Sequence, residues 1–223
     1  MAAGNGYIQY LLHLVAAQGA LASVYMDPND PDGFFSGYVE CVGPRHFLMA
    51  DVTPWGRLEG WRVLRTGEAV HLVIRDGQDI VYIYKTESGP MRMSSRVGLR
   101  SPLYCTGVGK AILATLPADE VAQIWQHTTP QKLTAHTIVE YDALQAQLTE
   151  VRTNGYAIDD EENELGVRCV AVAIPGVGGR ADSAFSISGL APYMTTERIR
   201  RIATLALDAR TDIMADLGLA KRI

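Results

Sequence analysis

The sequence predicts an α+β fold: an antiparallel sheet flanked by helices, preceded by a small helix-plus-β-meander segment. Three observations lead there. Residues 69–75 and 80–86 are rich in Val, Ile and Tyr and are joined through Asp76-Gly77, a dipeptide suited to the positive φ angles of a tight hairpin turn. Further short β-like runs are mixed with amphipathic helical runs, the mixture that builds a sheet packed against helices. The chain closes on a long helical pattern, residues 196–217, with Ile199, Ile202, Ala203, Ala206 and Ile213 on one face.

Near the start, Ile8, Leu11, Leu12 and Val15 have the i, i+3, i+4, i+7 spacing of one helix face. Asn5 can cap that helix, and Gly19 sits near its end. Turn formers fill residues 27–33 (DPNDPDG). Three β-like runs follow at 34–42, 46–52 and 61–65, separated by Gly43-Pro44 and Pro54-Trp55-Gly56. These features predict a first segment over residues 1–65 and a larger domain over 66–223.

In the larger domain, residues 102–106 read as a strand leading into a helix at 108–116. Pro117 with Asp119 and Glu120 marks another helix start, with Pro at its front and acids in the first turn. Leu144, Leu148 and Val151 line one side of a helix at 141–154, which Gly155 ends. Residues 157–158, 167–174 and 184–188 read as strands, with a turn at 175–179 (PGVGG), and Thr195 caps the closing helix.

Composition narrows the function. The chain has 223 residues, 48% hydrophobic and 20% charged, with net charge −5, which describes a folded domain without the basic balance of a nucleic-acid binder. Cys41, Cys105 and Cys169 are widely spaced and odd in number, which predicts reduced thiols in a cytoplasm rather than a disulfide framework or zinc site. Residues 7–22 are apolar, but Gln9, His13 and Gln18 interrupt them and no Lys or Arg precedes Arg45. A signal peptide needs a basic leading region, and a span needs about 20 nearly uninterrupted apolar residues. Neither export nor a membrane is predicted.

Several phrases bear on a site. In Cys105-Thr106-Gly107-Val108-Gly109-Lys110, two glycines free the backbone at a strand-to-helix junction, where unpaired N–H groups favour an anion. The same phrase also reads as a tight turn with a capped helix, since Gly often marks backbone geometry alone. It is not a P-loop, because Tyr104 and Ala111 occupy positions that need Gly and Ser or Thr. The run Asp159-Asp160-Glu161-Glu162, with Glu164 beyond, reads as a solvated loop, and it lacks the obligatory Gly of a hard-cation loop. No metal and no cofactor are predicted. Ser186 and Ser188 alternate with Phe185 and Ile187, so both hydroxyls lie on one strand face and need partners or a polar pocket.

Taken together, MRMSSRVGLRSPLYCTGVGKAILATLP (91–117), NGYAIDDEENELGVRCVAVAI (154–174) and FSISG (185–189) resemble the effector-binding domain of IclR-type bacterial transcription regulators. The resemblance covers about residues 66–218. It implies a GAF/profilin-like sensor fold, a role in transcription regulation, a homodimer or homotetramer, and a small organic acid or similar metabolite as effector. It also implies ligand contacts from Gly107, Val108, Asp159, Cys169, Ser186 and Ser188. Leu72, Met91, Met93 and Tyr104 are candidates for an apolar wall, or for plain core.

The resemblance does not extend to residues 1–62, where a winged helix-turn-helix with a basic recognition helix would be expected. That stretch holds six acids (Asp27, Asp30, Asp32, Glu40, Asp51, Glu59) against Arg45, Arg57 and Arg62, a sign that repels phosphates. DNA is therefore expected as a partner only through a DNA-binding domain supplied elsewhere. Two other readings stand beside the sensor. One is an enzyme using Cys105 with His71 or His136 as thiol and base. The other is a protein-interaction module built on residues 1–65. The sensor reading assigns no catalytic residue and no enzymatic activity.

Overall fold

The structure is a computed structural model. It describes residues 68–85, 93–217 and 219, together with four earlier strands. The chain divides into two compact units, Met1–Gly67 with Thr86–Gly89, and Glu68–Lys85 with Pro90–Ile223. In the first unit, β1 (Ser23–Met26) pairs antiparallel with β2 (Phe35–Tyr38), and β3 (Phe47–Val52) with β4 (Leu58–Leu64). The described part is two separate two-stranded ribbons rather than one meander. The helix expected around residues 5–19 lies outside the described residues.

The second unit holds one six-stranded antiparallel sheet in the order β7-β6-β5-β10-β9-β8. Its strands are β5 (Ala69–Asp76), β6 (Asp79–Lys85), β7 (Arg100–Pro102), β8 (Ala157–Asp160), β9 (Val167–Ile174) and β10 (Ser183–Leu190). The helices are α1 (Gly107–Leu113), α2 (Ala118–Gln126), α3 (Tyr141–Asn154) and α4 (Thr196–Asp216). The predicted hairpin at Asp76-Gly77 forms, with Gly77 at φ 65°. An antiparallel sheet flanked by helices is what the alternation of strand and helix patterns predicts.

Helix α1 explains how a polar site is set into the core. All seven of its residues are buried. It lies on β9 and β10, where Ala171, Ala173 and Ala184 keep the sheet surface low. Leu103, Ile112, Leu113, Val121, Leu144 and Leu148 fill the layer among α1, α2 and α3, each worth about 1.5–3 kcal/mol when fully withdrawn from water. On the opposite face Val70, Leu72, Val170, Val172, Phe185 and Ile187 are buried. There α4 crosses β9 and β10 with Ile199, Ile202, Ala203, Ala206, Ala209 and Ile213 inward.

Two expected boundaries move. Residues 102–106 do not extend as a strand: β7 ends at Pro102 and the next four residues turn. Thr106 Oγ1 closes that turn by accepting from the amide of Gly109 at 3.1 Å and donating to the Pro102 carbonyl at 3.1 Å. A side chain at Gly109 would overlap the Leu103 carbonyl and place its Cβ 2.5 Å from Leu103 Cα, so close approach alone explains this glycine. Strand β8, in turn, runs on to Asp160. The acidic phrase therefore begins inside the sheet, not after it.

Candidate functional site

Register in the sheet assembles the site. Asp159 on β8 stands opposite Cys169 on β9, and Cys169 stands opposite Ser188 on β10. One step along β10, Ser186 stands opposite His71 on β5. Directly opposed residues in an antiparallel sheet share a face, so five polar side chains lie side by side beneath the start of α1. Gly107 closes the corner: a Cβ there would come within 3.4 Å of Asp159 Cβ and 3.3 Å of Ala171 Cβ.

Between these elements lies a cavity of about 390 Å³, counting the part open to solvent. Gly107, Val108, Asp159, Cys169, Ser186 and Ser188 all line it. These are the six contacts that the family resemblance implies, and the structure brings all of them to one place. Of the four wall candidates, Met93 lines the cavity. Leu72 and Tyr104 do not: Leu72 points to the α4 face, and Tyr104 is core, donating its hydroxyl to the Gln131 carbonyl at 2.8 Å. Met91 lies outside the described residues.

The lining adds residues that sequence reasoning passed over as ligand contacts: His71, Tyr82, Ser95, Thr106, Asn163 and Glu164. His71 Nδ1 lies 3.2 Å from Ser188 Oγ and 3.4 Å from Ser186 Oγ, while Nε2 lies 2.9 Å from Ser95 Oγ. Burial, aided by the positive charge of Lys85, holds the imidazole down to about 3, hence neutral at ordinary pH. A lone histidine in the apolar strand AVHLVI was the signal available, since a buried polar group needs partners.

The floor is electrostatic. Lys110 on α1 is fully buried; it pairs with Glu162 and donates to Gln147 Oε1 at 2.6 Å. Asp159 Oδ1 accepts from the amides of Glu162 at 2.8 Å and Asn163 at 3.4 Å. Burial pushes the Asp159 carboxyl up to about 7, against the pull of Lys110 and with the push of Glu162. Thr134 and Thr137 donate to the carbonyls of Glu161 (2.7 Å) and Glu162 (2.6 Å), which fixes the turn. The acidic run is thus not a solvated loop: Asp159 and Glu162 are buried, and only Asp160 of its four residues is exposed.

Two segments frame the mouth. Lys85 Nζ donates to the Ser95 carbonyl at 2.7 Å, and Ser94 donates through its amide and hydroxyl to the Glu164 carboxylate, at 2.7 Å for the hydroxyl. Among the described residues, no Lys or Arg lines the cavity.

The thiol–base pairing fails on geometry. Among the described residues, His71 bonds only serine hydroxyls and His136 is exposed. Cys105 is buried with its thiol pushed up to about 12, mainly by burial, so the nucleophilic thiolate is suppressed. No group of three or more His, Cys, Asp or Glu among the described residues could hold a metal ion.

A curled antiparallel sheet with helices packed on it and a polar cavity beneath α1 defines a domain of the GAF/profilin-like fold. Residues 63–215 match the sequence model of the bacterial transcriptional regulator IclR C-terminal domain. The chain belongs to the IclR family, and this region is its C-terminal ligand-binding domain. It is 39% identical over 158 residues to the HTH-type transcriptional repressor AllR of Klebsiella pneumoniae, covering 70% of this chain and 58% of AllR. It is 38% identical over 154 residues to the regulator KdgR of Escherichia coli K12, covering 69% of this chain and 59% of KdgR. The solved structure of Thermotoga maritima IclR superposes with TM-score 0.66 at 37% identity, over 70% of this chain and 62% of that one. The C-terminal domain of E. coli KdgR gives 0.62 at 36%, over 69% and 89%. The chain thus spans a little under three fifths of AllR and KdgR.

Proposed function

We propose that this chain senses a small organic acid in the cavity beneath α1 and has no chemistry of its own. One observation carries this reading: Gly107, Val108, Asp159, Cys169, Ser186 and Ser188 converge on one mostly buried polar cavity. Within it, Ser186 and Ser188 donate to ligand oxygens, the Gly107 and Val108 amides have no partner inside the helix and meet a carboxylate, and Asp159 bonds a ligand oxygen beside them. Met93 and Tyr82 limit ligand size, so the ligand is a molecule of a few heavy atoms.

Residues 66–223 act as the sensor and residues 1–65 as a separate segment. The chain works in the cytoplasm as a homo-oligomer, and any DNA contact comes from a DNA-binding domain supplied elsewhere. Consistent with this, no helix among the described residues is long and apolar enough to cross a membrane.

Thermal-shift titration with 2-oxo acids, sugar acids and aromatic acids tests the reading, because a ligand that binds only the folded state raises the unfolding temperature with its concentration. One class is expected to give a saturable shift. Ser186→Ala is expected to weaken that binding about tenfold or more, since a hydrogen bond to a charged group is worth about 1.5–3 kcal/mol. A shift unchanged in the variant would place the ligand elsewhere.

A further inference from the structure

We propose that the cavity takes up its carboxylate ligand together with a proton, shared between the ligand and Asp159, so that the site selects small monoanions and rejects dianions. The inference rests on the assignment of this cavity as the ligand site.

A ligand carboxylate in this confined space brings a charge that the site leaves uncompensated. A ligand carboxylate at the Gly107 amide sits close to the Asp159 carboxyl, because Gly107 and Asp159 approach so nearly that a Cβ on Gly107 would lie 3.4 Å from Asp159 Cβ. Two carboxylates sharing such a site cannot both stay ionised, and one takes a proton. A nearby cation would lift that constraint, but no Lys or Arg among the described residues lines the cavity, and Lys85, beyond His71, is held by the carbonyls of Met93 and Ser95. Lys110, the buried cation facing Asp159 from α1, is already committed to Glu162 and Gln147.

The other groups facing Asp159 do not supply positive charge. Cys105 precedes α1 and Cys169 faces it from β9; both thiols are pushed up by burial and stay protonated. Tyr82 on β6 is a neutral phenol, held so mainly by burial. His71 on β5 is neutral. Glu162 and Glu164, from the turn after β8, and Asp160 beside it add only negative charge.

The two amide bonds to Asp159 favour its ionised form, but burial outweighs them, and their placement leaves one carboxyl oxygen over. Both loop amides bond Oδ1, which leaves Oδ2 for the cavity as the oxygen that carries the proton. An acid O–H there donates to the ligand carboxylate, as Ser186 and Ser188 do from β10, two strands away. The apo carboxyl lies near 7, so above that pH each binding event must draw the proton from solvent.

The test is calorimetric titration of the full chain with lactate and 2-oxobutanoate, and with malonate and succinate as dianions, from about pH 6 to about pH 9 in buffers of different ionisation enthalpy. For monocarboxylates, affinity is expected to fall about tenfold per pH unit above about 7, with uptake approaching one proton. The dianions should bind at least tenfold more weakly. Asp159→Asn keeps the Oδ1 acceptor and offers N–H donors on the other side, so it should bind monocarboxylates with no pH dependence. Should that variant not fold, the buffer comparison on the unaltered chain decides alone. Monocarboxylate binding that is flat with pH and shows no buffer-dependent heat overturns the proton, as does malonate binding as tightly as lactate; both leave the cavity as the ligand site. Failure of every acid to bind overturns both.

Discussion

Asp159 and Lys110 show how single residues in this site depend on partners far away in sequence. Asp159 was one of four acids in a row, and strand alternation decides its fate: β8 turns it inward and Asp160 outward. Lys110 reads as a basic residue after a glycine pair, yet it is fully buried against Glu162, 52 positions on. Nothing local announces that pairing. Lys110→Met should destabilise the domain by about 3–5 kcal/mol, because Glu162 is left buried without its cation, and a Lys110→Met, Glu162→Leu double variant should recover much of the loss. Urea midpoints compare the three proteins. Gly109 is the opposite case, legible from the start as backbone geometry. Gly109→Ala drives a methyl into the Leu103 backbone and should cost about 1–3 kcal/mol or more by overpacking, read from the same measurement.

At the scale of elements, the site is a consequence of register. Periodicity placed β5, β6, β9, β10, α3 and α4 close to where they lie, because their apolar spacing is long and regular. It also put Ser186 and Ser188 on one face. It could not show that β10 lies between β5 and β9, and that order is what sets His71 opposite Ser186 and Cys169 opposite Ser188. His71 was therefore visible as a polar residue in an apolar strand, but not as a neighbour of the serines. Leu72 is the opposite case: a candidate for the cavity wall by sequence, it is turned by the pleat onto α4's face. The turn around Glu161 and Glu162 depends on Thr134 and Thr137 from the α2–α3 connection. Thr137→Val should loosen that turn and weaken monocarboxylate binding severalfold while leaving the core intact, measured by titration beside a denaturation curve. Unchanged affinity would show that the turn holds without the threonine.

Across the whole molecule, two buried titrating groups shape stability in opposite senses. Asp159, pushed up to about 7, keeps a proton that the unfolded chain releases near 3.8, so its contribution is lost as pH rises from about 4 to about 7. His71, held down to about 3, stays neutral where the unfolded chain takes up a proton near 6.5, so its contribution is lost as pH falls from 6.5 to about 3. The slopes oppose each other between about 4 and 6.5. Replacing Asp159 by Asn removes one slope, so the stability of the variant relative to the unaltered chain should rise as pH climbs from about 4 to about 7, read from urea midpoints at each pH. The family was legible because the phrases around α1, β8–β9 and β10 follow one another in family order. The chain matches only part of AllR and KdgR, and residues 1–62 carry no such phrases.

Every role proposed for the cavity residues depends on the effector binding beneath α1. Amide chemical shifts followed by NMR during titration with a monocarboxylate locate binding most directly. The account predicts saturable shifts centred on Gly107, Val108, Asp159, Cys169, Ser186 and Ser188. Saturable shifts confined to other residues, with these six unmoved, would contradict it.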